Sequence, residues 1–119
     1  MTTDTSVICV EGYSKKVRNV SEKTKRLVYK NYEITDRAPH EYEIDHLISL
    51  ELGGANDIEN LWPQSYITTP LNARRKDVLE NKLHVLVCSG ELPIQVAQQE
   101  IATDWISAYY KYIPGPDKL

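Results

Sequence analysis

Residues 42–64 read YEIDHLISLELGGANDIENLWPQ, and how this stretch folds decides the architecture of the chain. Tyr42 and Ile44 alternate with polar residues, as do Ile48, Leu50 and Leu52. This predicts two short strands, the first ending in Asp45-His46 and the second running from Ser49 to Leu52. The alternation slips at Asp45-His46-Leu47, and a local irregularity of that kind aims neighbouring polar side chains into one place. Gly53-Gly54 supplies a turn, and the polar run after it returns Asn60 just ahead of Leu61-Trp62. Carboxylates, an imidazole and an amide thus sit between apolar positions, a composition suited to holding a cation and moving a proton.

Working outward, the upstream chain is helical and basic. Ser21 is a plausible N-cap for a helix to about Tyr32, with Leu27, Val28, Asn31 and Tyr32 on one side and Lys23, Lys25, Arg26 and Lys30 on the other. Glu33 to His40 is a connector, since Pro39 forces Ala38 out of the helical region, and His40 is expected to be exposed. Residues 1–6 read as loose, and Val7 to Val10 as a short strand that Gly12 and Ser14 break off. Downstream, Gln64 to Pro70 reads as a loop. A helix should start near Leu71 or Asn72 and run to Cys88, with Leu79, Leu83, Leu86 and Val87 at helical spacing and Ser89-Gly90 as the stop. Pro93 suits the first position of a final helix, in which Ile94, Ala97, Ile101, Trp105, Ala108, Tyr109 and Tyr112 form the buried stripe. Pro114-Gly115-Pro116 ends it. Trp62, between Leu61 and Pro63, is expected in the core. The expectation is one α+β domain over residues 1–119: a β-hairpin packed on a helix over about 42–88, with flanking N-terminal helices and a scaffold helix over about 93–112.

The 119 residues, 41% hydrophobic and 26% charged, with eight Tyr, two Trp and no Phe, place the chain among ordinary globular proteins in which Tyr and Trp carry the aromatic packing. No apolar run is long enough for a membrane span, and MTTDTS lacks the features of a signal peptide, so a cytoplasmic protein with no membrane partner is expected. The net charge of −3 hides a segregation. Between Glu11 and Lys30 seven basic residues face two acidic ones, whereas Glu41 to Asn60 contains six acidic residues and no Lys or Arg. An acidic segment attracts a divalent cation, and a basic one holds a polyanion on which the cation can act. Cys9 and Cys88 form no C-x-x-C pair, which excludes a zinc ribbon. In the cytosol two reduced, buried thiols are expected; a secreted chain would carry a Cys9–Cys88 disulfide.

Phosphodiester hydrolysis needs a water deprotonated near neutral pH and positive charge for the phosphoryl and leaving oxygens. Asp45 and His46 can divide those tasks, the carboxylate as cation ligand and the imidazole, with an ordinary pKa near 6.5, as general base. Arg74, Arg75 and Lys76 at the start of the downstream helix are placed to contact phosphate, Lys76 foremost.

The arrangement DH, then Asn60, then Asn72 resembles the HNH endonuclease family. The wider pattern of ICVEGYSKKVR, the 42–64 stretch and NARRKDVLENKLHVLVCSG is similar to small bacterial and phage HNH-type proteins over residues 7–112. The resemblance implies a ββα-metal core around one divalent cation, with DNA, or RNA, as substrate. Asp45 matches the first metal ligand, His46 the general base, Asn60 the residue tying the arms of the hairpin loop, and Asn72 the second ligand. Asp77 or Glu80, which share a helix face with His84 at i, i+3 and i+7, are alternates to Asn72. Carboxylate and amide oxygens suit Mg²⁺ or Mn²⁺. Lys23, Arg26, Arg74 and Arg75 would then hold the nucleic acid, with Lys76 at the scissile phosphate. The competing expectation is a catalytically silent HNH-like module that binds nucleic acid or protein.

Overall fold

Among the described residues two strands form, and they pair with each other. The computed structural model describes residues 1–35, 41–68 and 72–114. In it β1 (Tyr42–His46) runs antiparallel to β2 (Leu61–Ser65), in a register that sets Tyr42 against Ser65, Ile44 against Pro63 and His46 against Leu61. Proline is tolerated in β2 because both strands of a two-stranded sheet are edges. The fold is α+β: this hairpin is surrounded by α1 (Thr5–Ile8), α2 (Tyr13–Val17), α3 (Glu22–Asn31), α4 (Ala73–Cys88) and α5 (Ile94–Tyr112).

The second strand is therefore not Ser49–Leu52. That segment is a 3₁₀ turn over Leu50–Leu52, in which the Ser49 hydroxyl accepts from Glu51 N–H and the Ser49 carbonyl accepts from Leu52 and Gly54. Leu50 and Leu52 are both buried, so the alternation was real but reports one inward side of a tight turn. The two glycines make the turn possible. Gly53 closes it at φ +84°, and a Cβ on Gly54 would lie 1.7 Å from the Ile48 carbonyl oxygen. A second 3₁₀ turn, Ile58–Asn60, feeds directly into β2, so the loop expected from Gln64 begins later than its sequence suggested.

The N-terminal segment also differs from its expectation. Asp4 caps α1 by accepting from Ser6 N–H, so Val7–Ile8 is helical and not a strand. Thr2 is pinned, donating to the Gly53 carbonyl at 2.9 Å while its own carbonyl accepts from Gln98 Nε2 at 2.8 Å. Gly12, read as a break, adopts φ +80° and starts α2. Ser21 does cap α3, accepting from Thr24 N–H.

Two cores result. The larger joins α4 and α5 through Leu79, Leu83, Val87, Ile94, Ala97, Ile101, Trp105, Ala108 and Tyr109, with Ile8 and Leu52 closing one side and Trp62 packed against it. The smaller holds Val28 of α3 against Ile44 and Leu61 of the hairpin. The stripe on α5 survives a break at Asp104, whose backbone is non-helical and whose carboxylate accepts from the backbone and hydroxyl of Ser107, capping the second half of the helix. Cys9 and Cys88 form a disulfide, with their Cα atoms 5.7 Å apart, which decides between the two states the sequence left open and ties the end of α1 to the end of α4. No helix among the described residues is long and apolar enough to cross a membrane. His40 and the chain past Pro114 lie outside the described residues.

Candidate functional site

The hairpin delivers Asp45 and His46 side by side at the end of β1, and the loop that follows locks them. Asn60 fastens this loop. Its Oδ1 accepts from Ile48 N–H at 2.9 Å, its Nδ2 donates to the carbonyls of Ile48 and Ala55 at 3.0 and 2.8 Å, and its own carbonyl accepts from Leu47 N–H. With four bonds from one residue, the backbone leaving His46 has a single path.

His46 is 2% exposed, and its Nε2 lies 3.0 Å from Asn56 Oδ1. The amide orientation of Asn56 is fixed, because its Nδ2 donates to the Val17 carbonyl at 2.8 Å and its Oδ1 also accepts from Asn19 N–H. An oxygen that can only accept requires the hydrogen on His46 Nε2, which leaves Nδ1 as the basic nitrogen of the neutral ring. Burial lowers the His46 pKa, the bond to Asn56 opposing and the positive charge of Arg18 assisting. The imidazole is thus held neutral near pH 7 in a defined tautomer.

Beside it, Lys76 occupies an unusual position for a lysine. Its ammonium is fully buried and lies 2.9 Å from the His46 carbonyl, 3.1 Å from Glu80 Oε2 and 3.0 Å from Asp45 Oδ2. Burial pulls its pKa down, and Glu80 and Asp45 pull it up by more, so it stays charged. The contact with Asp45 is an ion pair that lacks the angle of a hydrogen bond, and Oδ2 is buried beneath it.

A cavity of about 540 Å³ opens over this arrangement. Its acidic wall comprises Glu43, Asp45, Glu51, Asp77 and Glu80; Ser14, Lys15 and Arg18 of the α2 region line it as well, as do His46, Ser49 and Asn81. Burial raises Glu80 well above the ordinary carboxylate value, against Lys76 and with help from Asp45. Burial likewise raises Asp77 and Glu43, with the charge of Asp45 adding to each. In all three, withdrawal from water is the larger cause and the neighbouring Asp45 charge the smaller. Tyr66 donates its hydroxyl to Glu43 and is pushed up to about 12 by burial and by that bond, so it acts only as a donor.

Other residues singled out in the sequence lie elsewhere. Asn72 is the N-cap of α4: its Oδ1 accepts from the backbone N–H of Arg74 and Arg75 at 3.1 and 3.3 Å, and it does not line the cavity. Lys76, expected at the phosphate, points inward with no exposed surface. Arg74 stacks over Tyr66 with its guanidinium carbon 6.0 Å from the ring centroid, and Arg75 donates to the Tyr109 hydroxyl at 3.5 Å. Lys23 and Arg26 are exposed on α3. His84, on the Asp77/Glu80 helix, bonds the Glu51 carbonyl through Nδ1 at 2.7 Å instead of joining the cavity. The sequence reading missed Asn56, Glu43 and Arg18. Arg18 lay inside the basic segment, but α2 brings it to the cavity only through tertiary packing.

The donor set can be weighed against a cation. Among the described residues no three His, Cys, Asp or Glu side chains converge to hold a metal by themselves. A dedicated cage is therefore missing, but Mg²⁺ is commonly held by one or two carboxylates, with water and substrate phosphate completing its shell. Asp45, whose Oδ2 is ion-paired with Lys76, and Asp77 both line the cavity, and with water and substrate phosphate they are the residues that would hold the ion. No family model matches this sequence, and neither does any curated protein or solved structure.

Proposed function

We propose that this chain is an HNH-like endonuclease that hydrolyses phosphodiester bonds of DNA with a divalent cation. The hairpin, its Asn60-locked loop and α4 would serve as the ββα-metal core. The observation that carries this reading is His46, held neutral in the Nε2–H tautomer beside Asp45 at the floor of an acidic cavity. Nδ1 of His46 takes a proton from the attacking water as the new P–O bond forms. The bond from phosphorus to the 3′ oxygen breaks on the opposite side, and the leaving oxygen takes up a proton. When bound, Mg²⁺ or Mn²⁺ supplies positive charge for the phosphoryl and leaving oxygens. Asp45, flanked by Asp77, presents carboxylate oxygens to it. Asn56 keeps the His46 ring in one tautomer, Asn60 keeps the ring in place, and Lys76 anchors the His46 carbonyl and the Asp45 carboxylate from below.

Purified chain with supercoiled plasmid and Mg²⁺ or Mn²⁺ is expected to nick it, the activity vanishing in chelator and falling about 10²- to 10⁴-fold in His46→Ala, the range of a general base. Undiminished cutting by His46→Ala would sink the assignment.

A second reading has its own support. The Lys76 ammonium lies between Asp45 and Glu80, where a positive charge already satisfies two carboxylates. On this reading the fold is a silent binding module. Metal-independent, salt-sensitive DNA binding with no cleavage in any divalent cation would favour it.

A further inference from the structure

The cavity is acidic, yet the ligand proposed for it is a polyanion, so something on its walls must attract phosphate. The sequence pointed to Lys76, whose ammonium is turned inward, donating to the His46 carbonyl and Glu80 and ion-paired with Asp45. Arg18 is the better placed group. It follows α2 directly, lines the same cavity as His46, and reaches β1, where its NH2 group donates to the Ile44 carbonyl at 3.5 Å, between Glu43 and Asp45 in sequence. Among the described residues no carboxylate lies within 4.0 Å of it in an ion pair, although four line the cavity within a few residues of its contact on β1 or on the facing turns of α4. One long hydrogen bond uses one of five guanidinium donors. The remaining fork can take two oxygens of a phosphate at once, a geometry that lysine lacks. Lys15, one turn earlier in the same lining, adds a second positive charge.

We propose that Arg18, assisted by Lys15, forms a phosphate subsite that holds a nucleic-acid phosphodiester against His46. The proposal rests on the nuclease reading for its substrate, but binding and cleavage test the two separately. Arg18 is a substrate-binding residue here, and the proton transfer remains with His46.

Fluorescein-labelled duplex DNA is titrated by anisotropy with the full, disulfide-bonded chain in chelator, and with Mg²⁺ on a His46→Ala background. Cleavage kinetics are followed in parallel with Mg²⁺ on the otherwise native chain. Arg18→Ala is expected to weaken binding and raise KM about tenfold, the size of one lost charge-assisted contact, with a smaller change in kcat. Arg18→Lys should recover part of the binding, Lys15→Ala should lose less than Arg18→Ala, and Lys111→Ala, outside this cavity, should lose nothing. If the chain cuts DNA while the Arg18 variants bind and cut like wild type, the subsite is overturned and the nuclease reading stands. If nothing is cut but binding keeps the order wild type, Arg18→Lys, Arg18→Ala, the nuclease reading fails and the subsite stands. If Arg18→Ala melts early and Arg18→Lys restores the melting temperature without restoring binding, the residue is structural and the proposal is overturned.

Discussion

His46 works at the residue scale because two different amides constrain it. Asn60 fixes the backbone after it and Asn56 fixes the proton on Nε2. A buried imidazole with a depressed pKa is ready to accept a proton below the ordinary value of 6.5. The acid limb of the pH–rate profile should therefore lie below 6.5, since activity falls only when the folded-state pKa is crossed. The Asn56 bond raises that pKa, so Asn56→Ala should move the limb to lower pH and reduce kcat by about tenfold, as one positioning bond is lost. A pH–kcat series of the two proteins checks both. Stability carries the same sign: protonating this ring favours the unfolded chain, so the contribution present above 6.5 is lost as pH falls through the depressed value. Lys76 gives a second test. With its ammonium fully buried between Asp45 and Glu80, Lys76→Met strands two carboxylates and should cost about 3–5 kcal/mol in urea unfolding, the cost of breaking a buried ion pair from one side.

At the scale of elements, α4 is the spine of the site, because it carries Lys76, Asp77 and Glu80 on one side and Leu79, Leu83 and Val87 into the core on another. Its start depends on Asn72, whose side chain accepts two otherwise orphaned N–H groups. Asn72→Ala should lower thermal stability by about 1 kcal/mol, and Asn72→Ser, an equally good cap, should restore it. Cleavage by Asn72→Ser at the wild-type rate is expected, since this side chain caps the helix; loss of cleavage with stability intact would return Asn72 to the role of metal ligand. The hairpin is the other essential element. It holds its loop closed through backbone contacts too tight for a side chain at Gly54.

At the scale of the whole molecule, a covalent link joins the end of α1 to the end of α4. The disulfide from Cys9 to Cys88 spans 79 residues and encloses α2, α3, the hairpin and α4. Since α2 carries Arg18 and Lys15 to the cavity, the bond also limits how far that wall can depart from α4. Cys88→Ser, or reduction of the native protein, should cost about 2–5 kcal/mol measured by thermal or denaturant unfolding. Glu43 of β1 and Asp77 and Glu80 of α4 line one cavity at a depth that partly withdraws them from water. That depth is the source of their raised pKa values.

The chain's own pattern determined α3, α4 and α5 almost to the residue, because each has an apolar stripe at helical spacing and a recognisable cap or stop. It also determined β1 and the adjacency of Asp45 and His46, since neighbours in a strand stay neighbours. Tertiary structure decided the rest. Ile48, Leu50 and Leu52 look like a strand, but a 3₁₀ turn buries the same positions, and only the pairing partner of β1 distinguishes them; that partner proved to be Leu61–Ser65. Charge type was visible in the sequence while charge direction was not. Lys76 and Arg18 are both basic residues in polar contexts, yet packing turned one into the interior and brought the other to the cavity. The physical reason is that helical spacing fixes which side of its own element a residue occupies, whereas only the packing of elements fixes what that side faces.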